Sequence, residues 1–266
     1  IFAGPPALSP DGRTFVTAIH TAEKGIHGQC TAIDATSLAQ TRFGATGWEA
    51  GWFEWLPDGK AFLVSAFKFG DAEQGQVFLV SYPDGRYRRV TNDTNEYTEI
   101  GVTTDGQTIA ALRTTRVANV WSAAVAPNAR PRQLTFNASS ANAVRSFVLA
   151  GDSTVVFGAA TDHNTHLWTL DAGGQAPRQI TPGSRVEEVV RALPDGRLIV
   201  SRYGADNTAH LFLLGRDGGE ARPLVSSVGE WFQGLSPDGL TLLYTRVDSL
   251  RALFAVPVAG GASHLV

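Results

Sequence analysis

Residues 56–65 read LPDGKAFLVS, and this stretch decides the fold of the chain. An Asp-Gly pair between apolar runs is a strong hairpin signal, because Gly readily adopts the positive φ that the turn requires. The segment therefore predicts a strand that ends near Leu56, a tight turn at Asp58 and Gly59, and a second strand from Ala61 onwards.

The same turn recurs along the whole chain. A degenerate copy, in which Gly151 precedes Asp152, fills the one gap in the series. The aspartates of the six copies are Asp11, Asp58, Asp105, Asp152, Asp195 and Asp238. Successive aspartates are 47, 47, 47, 43 and 43 residues apart. This period is close to the roughly 40–45 residues of a β-propeller blade.

Each repeat contains four short apolar segments separated by turn residues. In the fifth repeat these segments are 186–193, 198–202, 210–214 and 222–225. Short segments rich in Val, Leu and Phe are typical of strands in an all-β protein. Residues 186–191 could be helical in isolation, but their register with the first strand of the other repeats predicts a strand. We predict an all-β fold, a single six-bladed β-propeller of four-stranded antiparallel blades. The predicted blades are about 1–44, 45–91, 92–135, 136–181, 182–225 and 226–266.

Composition narrows the possible partners. The 266 residues include 22 Lys and Arg against 25 Asp and Glu, a net charge of −3, and no basic cluster that would suit nucleic acid. The single cysteine, Cys30, excludes an intrachain disulfide framework. No apolar segment approaches the roughly 20 residues of a membrane-spanning helix. Because the sequence begins with Ile1 and contains no Met, we interpret it as a segment of a longer protein.

Two parts of the sequence resemble a known family. The Ser-Pro-Asp-Gly turns at Ser9 and Ser236 resemble the repeats of TolB-type six-bladed propellers. Residues 89–93 and 102–106, with 119–121 after them, resemble more specifically the propeller domains of bacterial (acidobacterial-type) serine/threonine kinases and winged-helix regulators. The resemblance implies a sensor or scaffold module of a larger protein, periplasmic or extracellular, that binds another protein. Propellers support many activities, so the resemblance specifies the fold better than the function.

Histidines raise the alternative of a propeller enzyme. His163, His166 and His210 fall at or beside the loops between the second and third strands of the fourth and fifth repeats. Some propeller lyases hold a metal with histidines on this face. No compact metal-binding spacing of the His-Glu-x-x-His or Cys-x-x-Cys kind is present. We therefore expect no cofactor, no metal and no catalytic residue, and the alternative is a metal-assisted lyase or hydrolase that uses these three histidines.

The segments that lead into the first strands are rich in aromatic and charged residues, which is typical of recognition surfaces. The candidate ligand-binding residues are Trp52, Glu54, Glu96, Tyr97, Glu99, Arg145, Glu187, Arg191, Glu230 and Trp231. In the other interpretation, the tryptophans cap the packing between blades and the charged groups are only solvated.

Strand alternation orders these candidates further. The residues four, six and eight positions before each turn aspartate should lie on one side of the first strand, facing the channel. This set contains Glu54, Glu99, Glu187 and Glu230 against one base, Arg191. Because a low-dielectric cleft concentrates counter-charge, we predict an acidic, aromatic-edged funnel that favours a cationic group, such as a Lys- or Arg-bearing peptide. The predicted function is non-catalytic binding of a protein, peptide or small ligand at this mouth, and the alternative is a channel that holds only water and stray cations.

Overall fold

The computed structural model describes the chain except for a set of short segments. These are residues 1, 4, 22–26, 47, 69–74, 94, 116, 137–143, 152, 162–163, 172–175, 184–185, 205–207, 228 and 247–248. All regular structure in the described residues is β-strand. No helix in this part of the chain is long and apolar enough to cross a lipid bilayer. The chain divides into two compact units, residues 1–115 and 116–266.

The first unit contains two complete sheets and one pair of strands, all antiparallel. The first sheet runs in the order β1-β3-β4-β5, with β2 also paired to β3, and its strands are β1 (Phe2–Ala3), β2 (Ala7–Leu8), β3 (Thr14–Thr21), β4 (His27–Asp34) and β5 (Gln40–Thr46). The second sheet consists of β6 (Trp48–Trp55), β7 (Ala61–Lys68), β8 (Gln76–Ser81) and β9 (Tyr87–Arg89). The pair is β10 (Glu96–Val102) and β11 (Ile109–Thr114).

The second unit contains one pair of strands and three four-stranded antiparallel sheets, each in chain order. The pair is β12 (Trp121–Ser122) and β13 (Arg132–Gln133). The first sheet consists of β14 (Val144–Ala150), β15 (Thr154–Thr161), β16 (Asn164–Asp171) and β17 (Arg178–Gln179). The second consists of β18 (Glu187–Ala192), β19 (Leu198–Tyr203), β20 (Ala209–Leu214) and β21 (Arg222–Pro223). The third consists of β22 (Glu230–Leu235), β23 (Thr241–Arg246), β24 (Ser249–Pro257) and β25 (His264–Leu265).

The predicted all-β class is confirmed, and residues 187–192 form a strand as their register indicated. The count of six four-stranded sheets is not reproduced. The third predicted repeat, 92–135, gives two separate two-stranded sheets, and the boundary between the units falls inside it. Its strands β12 and β13 have only two residues each, and Pro127 and Pro131 stand between them. Because proline has no backbone N–H, it limits the length of this ladder.

The repeated turn has the geometry that its sequence predicts. Gly59 has φ of 67° and Gly196 has φ of 86°, which confirms the predicted positive values. The Gly59 N–H donates to the Leu56 carbonyl at 3.0 Å. The Asp58 carboxylate accepts the N–H two residues later at 3.0 Å. In the degenerate copy Gly151 also has a positive φ, of 70°, whereas Asp152 lies outside the described residues.

The turns of neighbouring sheets pack on one another through the same residues. A methyl group built on Gly239 would lie 3.1 Å from Pro194 Cδ, and one on Gly106 would lie 3.4 Å from Pro57 Cδ. The prolines of three Pro-Asp-Gly phrases, Pro10, Pro57 and Pro194, therefore lie within 4.0 Å of a methyl group placed on the turn glycine of the following sheet. The recurrence of the phrase reflects contacts between sheets as well as chain reversal.

Apolar clusters join the sheets within each unit. In the first unit Val16 of β3 packs with Phe53 and Phe62 of the second sheet. In the second unit Ile199 of β19 packs with Leu242 of β23. Phe53 belongs to β6, the first strand of the second sheet, which has a ladder partner on one side only. The candidate site residues lie on the first strands of the sheets.

Candidate functional site

Bulges interrupt the first strands and change which side chains share a face. The pairing of β18 with β19 shifts register between Val189 and Arg191, and that of β22 with β23 shifts between Phe232 and Gly234. In β18, Glu187 is buried at 2% exposure whereas Arg191 is exposed. The prediction that residues four and eight positions before the turn aspartate share one side is therefore wrong for this strand. The physical reason is that a bulge adds one residue and reverses the alternation beyond it.

An open cleft of about 410 Å³ in the first unit brings together two of the predicted residues, Trp52 and Glu54. It lies along the first strands β2 and β6. Its walls are Pro5, Pro6, Ala7, Leu8, Pro10, Trp52, Phe53, Glu54 and Trp55. The prolines and Trp55 were not among the sequence candidates. The Pro5-Pro6 dipeptide directly before β2 was the available signal for the missing wall.

Two indole rings of the cleft are anchored by their N–H groups. Trp55 Nε1 donates to the Ala7 carbonyl at 3.1 Å, which joins β6 to β2. Trp52 Nε1 donates to the Ile100 carbonyl at 3.0 Å, which joins β6 to β10. Because a buried indole N–H needs an acceptor, these bonds fix the ring orientations. Trp52 nevertheless remains 39% exposed, so part of its ring is free to contact a ligand.

Among the described wall residues of the cleft, Glu54 is the only titratable one. Partial burial raises the pKa of this carboxyl group. The described wall residues include no Lys, Arg or His. The described walls of the cleft therefore carry one carboxyl group and no basic group, between aromatic and proline surfaces.

The candidates on β10 also belong to the first unit but do not line this cleft. Tyr97 is half-buried and its hydroxyl donates to Asp93 at 2.8 Å, a hydrogen bond that raises the pKa of Tyr97. Glu99 is exposed at the bulge of β10 with φ of 49°. Glu96, at the start of the strand, is half-buried.

The other five candidates lie in the second unit. Arg145 of β14 and Arg191 of β18 are exposed, and Trp231 of β22 is half-buried. Sequence reasoning missed Glu188, next to Glu187 on β18. Burial raises the pKa of Glu188, and the charge of Arg145 opposes this shift. The carboxyl group of Glu188 therefore lies close enough to Arg145, a candidate site residue, for the two charges to interact.

Glu187 forms an ion pair with Arg202 of the neighbouring strand. Its Oε1 lies 2.6 Å from Arg202 Nε, and the side chains of Glu187 and Arg202 are 3% and 11% exposed, respectively. The Arg202 guanidinium also stacks on Phe212, 5.0 Å from the ring centre. A buried ion pair of this kind is costly to break, because either partner alone would be an uncompensated charge. Glu187 is therefore not available as a ligand contact in this structure.

Glu230 is also buried, with no exposed surface. Its Oε1 accepts the N–H and the hydroxyl of Ser227, both at 2.9 Å. Its Oε2 accepts the Leu211 N–H at 3.1 Å and lies 3.2 Å from His210 Nδ1. The carboxylate thus joins β20, the loop before β22, and β22 itself.

In three other sheets a threonine hydroxyl accepts the N–H that corresponds to that of Leu211. The donors are Val77, Val120 and Leu167, and the distances are 3.0, 2.9 and 2.9 Å. The acceptors, in the same order, are Thr91, Thr135 and Thr181. The fifth repeat has Val225 at this position, which has no hydroxyl group. Glu230 supplies the missing acceptor, so its role is structural.

Two of the three histidines of the alternative hypothesis, His166 and His210, occupy the position directly before that donor. Gln76 and Asn119 stand at the same position in the second and third repeats, and each accepts a hydrogen bond from its threonine. His210 contacts Glu230 and lies 3.0 Å from the Thr208 hydroxyl through Nε2. His166 is half-buried on β16, and His163 lies outside the described residues. Among the residues with assigned positions, no group of three or more His, Cys, Asp or Glu could hold a metal ion.

Comparison with known proteins gives similarity to solved structures alone. No protein-family model matches the sequence, and no curated protein matches it. A prolyl endopeptidase structure is 16% identical with a TM-score of 0.46, over 100% of this chain and 42% of that chain. TolB from Acinetobacter baumannii is 13% identical with a TM-score of 0.38, over 99% and 52%. The β-propeller domain of the Trilobed protease from Pyrococcus furiosus is 16% identical with a TM-score of 0.37, over 99% and 83%. All three TM-scores lie below 0.5, so the proposals below rest on this chain's own residues.

Proposed function

We propose that this chain is a six-bladed β-propeller of the TolB type that acts as a non-catalytic binding module. The six evenly spaced turns support the blade count, and the chain-ordered four-stranded sheets support the blade architecture. The module takes a protein or small ligand at the mouth formed by the first strands. It serves as the sensor or scaffold part of a longer periplasmic or extracellular protein, of the kind joined to a kinase or a winged-helix regulator.

One observation carries the binding proposal. The structure brings Trp52 and Glu54 to one open cleft whose size is in the range of ligand sites, which is roughly 300–1,000 Å³. Ligand sites place a few polar groups among apolar surfaces, and here the Glu54 carboxyl group lies among proline, leucine and indole side chains. Two of the other acidic candidates, Glu187 and Glu230, are engaged in buried contacts and are not part of the proposed site.

Calorimetric binding of a panel of peptides and small metabolites tests the proposal. We expect at least one ligand to bind the wild type and to bind Trp52→Ala at least about tenfold more weakly. Tyr87→Ala is the matched control, because this exposed aromatic lies on the opposite edge strand of the same sheet. A panel in which no ligand distinguishes Trp52→Ala from Tyr87→Ala would contradict the proposed site. Stoichiometric metal in the purified protein would contradict the non-catalytic assignment.

A further inference from the structure

The cleft beside Glu54 has the chemistry of a site for a basic side chain. We propose that it binds the Lys or Arg side chain of an extended partner peptide, an inference that rests on the proposed binding function. The carboxylate of Glu54 pairs with the cationic head, and the ring of Trp52 contacts the aliphatic stem and the charge.

The charge of the cleft walls favours a cationic ligand. Glu54 is the single ionisable group among the described cleft walls, and no basic residue there balances it. Trp52 presents an exposed ring that a cation can contact, and ring faces attract cations. An anionic ligand would meet a carboxylate and no cationic partner. Both indole N–H groups donate to backbone carbonyls, so neither is available to an anion.

The surface of the cleft favours a long side chain over a free small ligand. Pro5, Pro6 and Leu8 supply apolar surface that suits the methylene stem of a long side chain. A free small ligand is usually oriented by several convergent polar groups. Among the described wall residues this cleft offers one charged side chain, Glu54, which is enough for a basic side chain whose own backbone sets its direction.

The unpaired edge of β6 favours an extended peptide as the partner. β6 is the edge strand of its sheet, paired with β7 and with no other described strand. Its second edge therefore has backbone groups outside the ladder, next to the cleft. An extended peptide can use such an edge for main-chain hydrogen bonds while a side chain enters the neighbouring pocket.

The test uses capped peptides Ala-Ala-X-Ala-Ala, with X as Lys, Arg, citrulline, norleucine or Glu, and fluorescence anisotropy as the measurement. We expect the Lys or Arg peptide to bind at least about tenfold more tightly than the citrulline, norleucine and Glu peptides. Its affinity should fall several-fold between low and high salt, because a partly exposed charge pair is screened. Tetramethylammonium chloride, compared with NaCl at the same ionic strength, should compete only weakly.

Two glutamate variants make the test specific. Glu54→Gln removes the charge at nearly constant shape, and we expect it to weaken Lys-peptide binding by about tenfold. Glu220→Gln makes the same chemical change at an exposed residue of the second unit and should leave binding unchanged. Circular dichroism of both variants checks that they fold.

The outcomes separate this inference from the proposed function. Equal binding of the Lys and citrulline peptides, or equal binding by Glu54→Gln, would overturn the cationic assignment. Efficient displacement by tetramethylammonium would overturn the assignment to a peptide. A neutral or anionic ligand that is lost in Trp52→Ala would overturn this inference and leave the binding module intact. Absence of any Trp52-dependent ligand would overturn both.

Discussion

Replacement of Glu230 by Ala tests whether one buried carboxylate holds the joint between the last two sheets. The substitution removes the acceptor of the buried Leu211 N–H and of the half-buried Ser227 N–H. An unsatisfied buried donor costs about 1–3 kcal/mol, so we expect a loss of about 2–4 kcal/mol in the free energy of unfolding. For a chain of this size that corresponds to a fall in Tm of about 10 °C.

A second substitution makes the prediction specific. Val225→Thr in the Glu230→Ala background places a hydroxyl where Thr91 and Thr181 accept the corresponding N–H. Because one neutral hydrogen bond is worth about 1 kcal/mol, we expect recovery of about that amount. Val225→Thr alone should change stability by less than about 1 kcal/mol, since Glu230 already occupies the donor.

Urea denaturation of the four proteins, followed by circular dichroism, measures these differences. The slope of the free energy against urea should stay constant, which shows that the midpoint shift reports stability. A loss below about 1 kcal/mol in Glu230→Ala would refute the view that this carboxylate is a structural acceptor. An absence of recovery in the double variant would refute its equivalence to the threonines of the other sheets.

Three further predictions follow from the turns, the ion pair and the cysteine. Gly59→Ala should lower the free energy of unfolding by about 1–2 kcal/mol, from positive-φ strain alone. Gly239→Ala should lower it further, because its methyl group would also lie 3.1 Å from Pro194 Cδ. Equal urea midpoints for the two variants would contradict the packing role of the turn. Arg202→Met should destabilise the protein by about 3–5 kcal/mol because it leaves Glu187 as a buried charge, and calorimetry should find the Glu187→Leu/Arg202→Met double variant much closer to wild type. Burial raises the pKa of Cys30 to about 11, so the fraction of thiolate at pH 8 is small. We therefore expect Cys30 to react with a disulfide reagent at least about 100-fold more slowly than free cysteine does. A reaction rate close to that of the urea-unfolded chain would show instead that the thiol is accessible.

The sequence predicted the elements of this protein better than their assembly. Turn positions and strand class follow from local chemistry. The residue after the turn aspartate needs a positive φ, as Gly59 shows with φ of 67°, and glycine adopts such a φ without strain. The third repeat was the exception. Its second half pairs only as Trp121–Ser122 with Arg132–Gln133, since the connecting prolines cannot donate to a ladder.

The candidate site was predicted in part. Trp52 and Glu54 were recognised from the aromatic and acidic character of one strand. Pro5 and Pro6 were missed because they reach the cleft only when β2 packs against β6, through the bond from Trp55 to Ala7. That contact joins residues 48 positions apart, which no local pattern records.

Period and turn chemistry by themselves determined the repeat, the all-β class and the turn glycines, because each of these depends on residues adjacent in the chain. Only the tertiary structure decided which acidic groups are accessible. A bulge in β18 puts Glu187 and Arg191 on different sides of the strand, and Glu187 pairs with Arg202 on the neighbouring strand. Glu230 replaced a threonine that the fifth repeat lacks. Glu54 has no basic neighbour among the described walls of its cleft. The burial of a carboxylate depends on partners distant in sequence, so it is fixed only when the sheets pack.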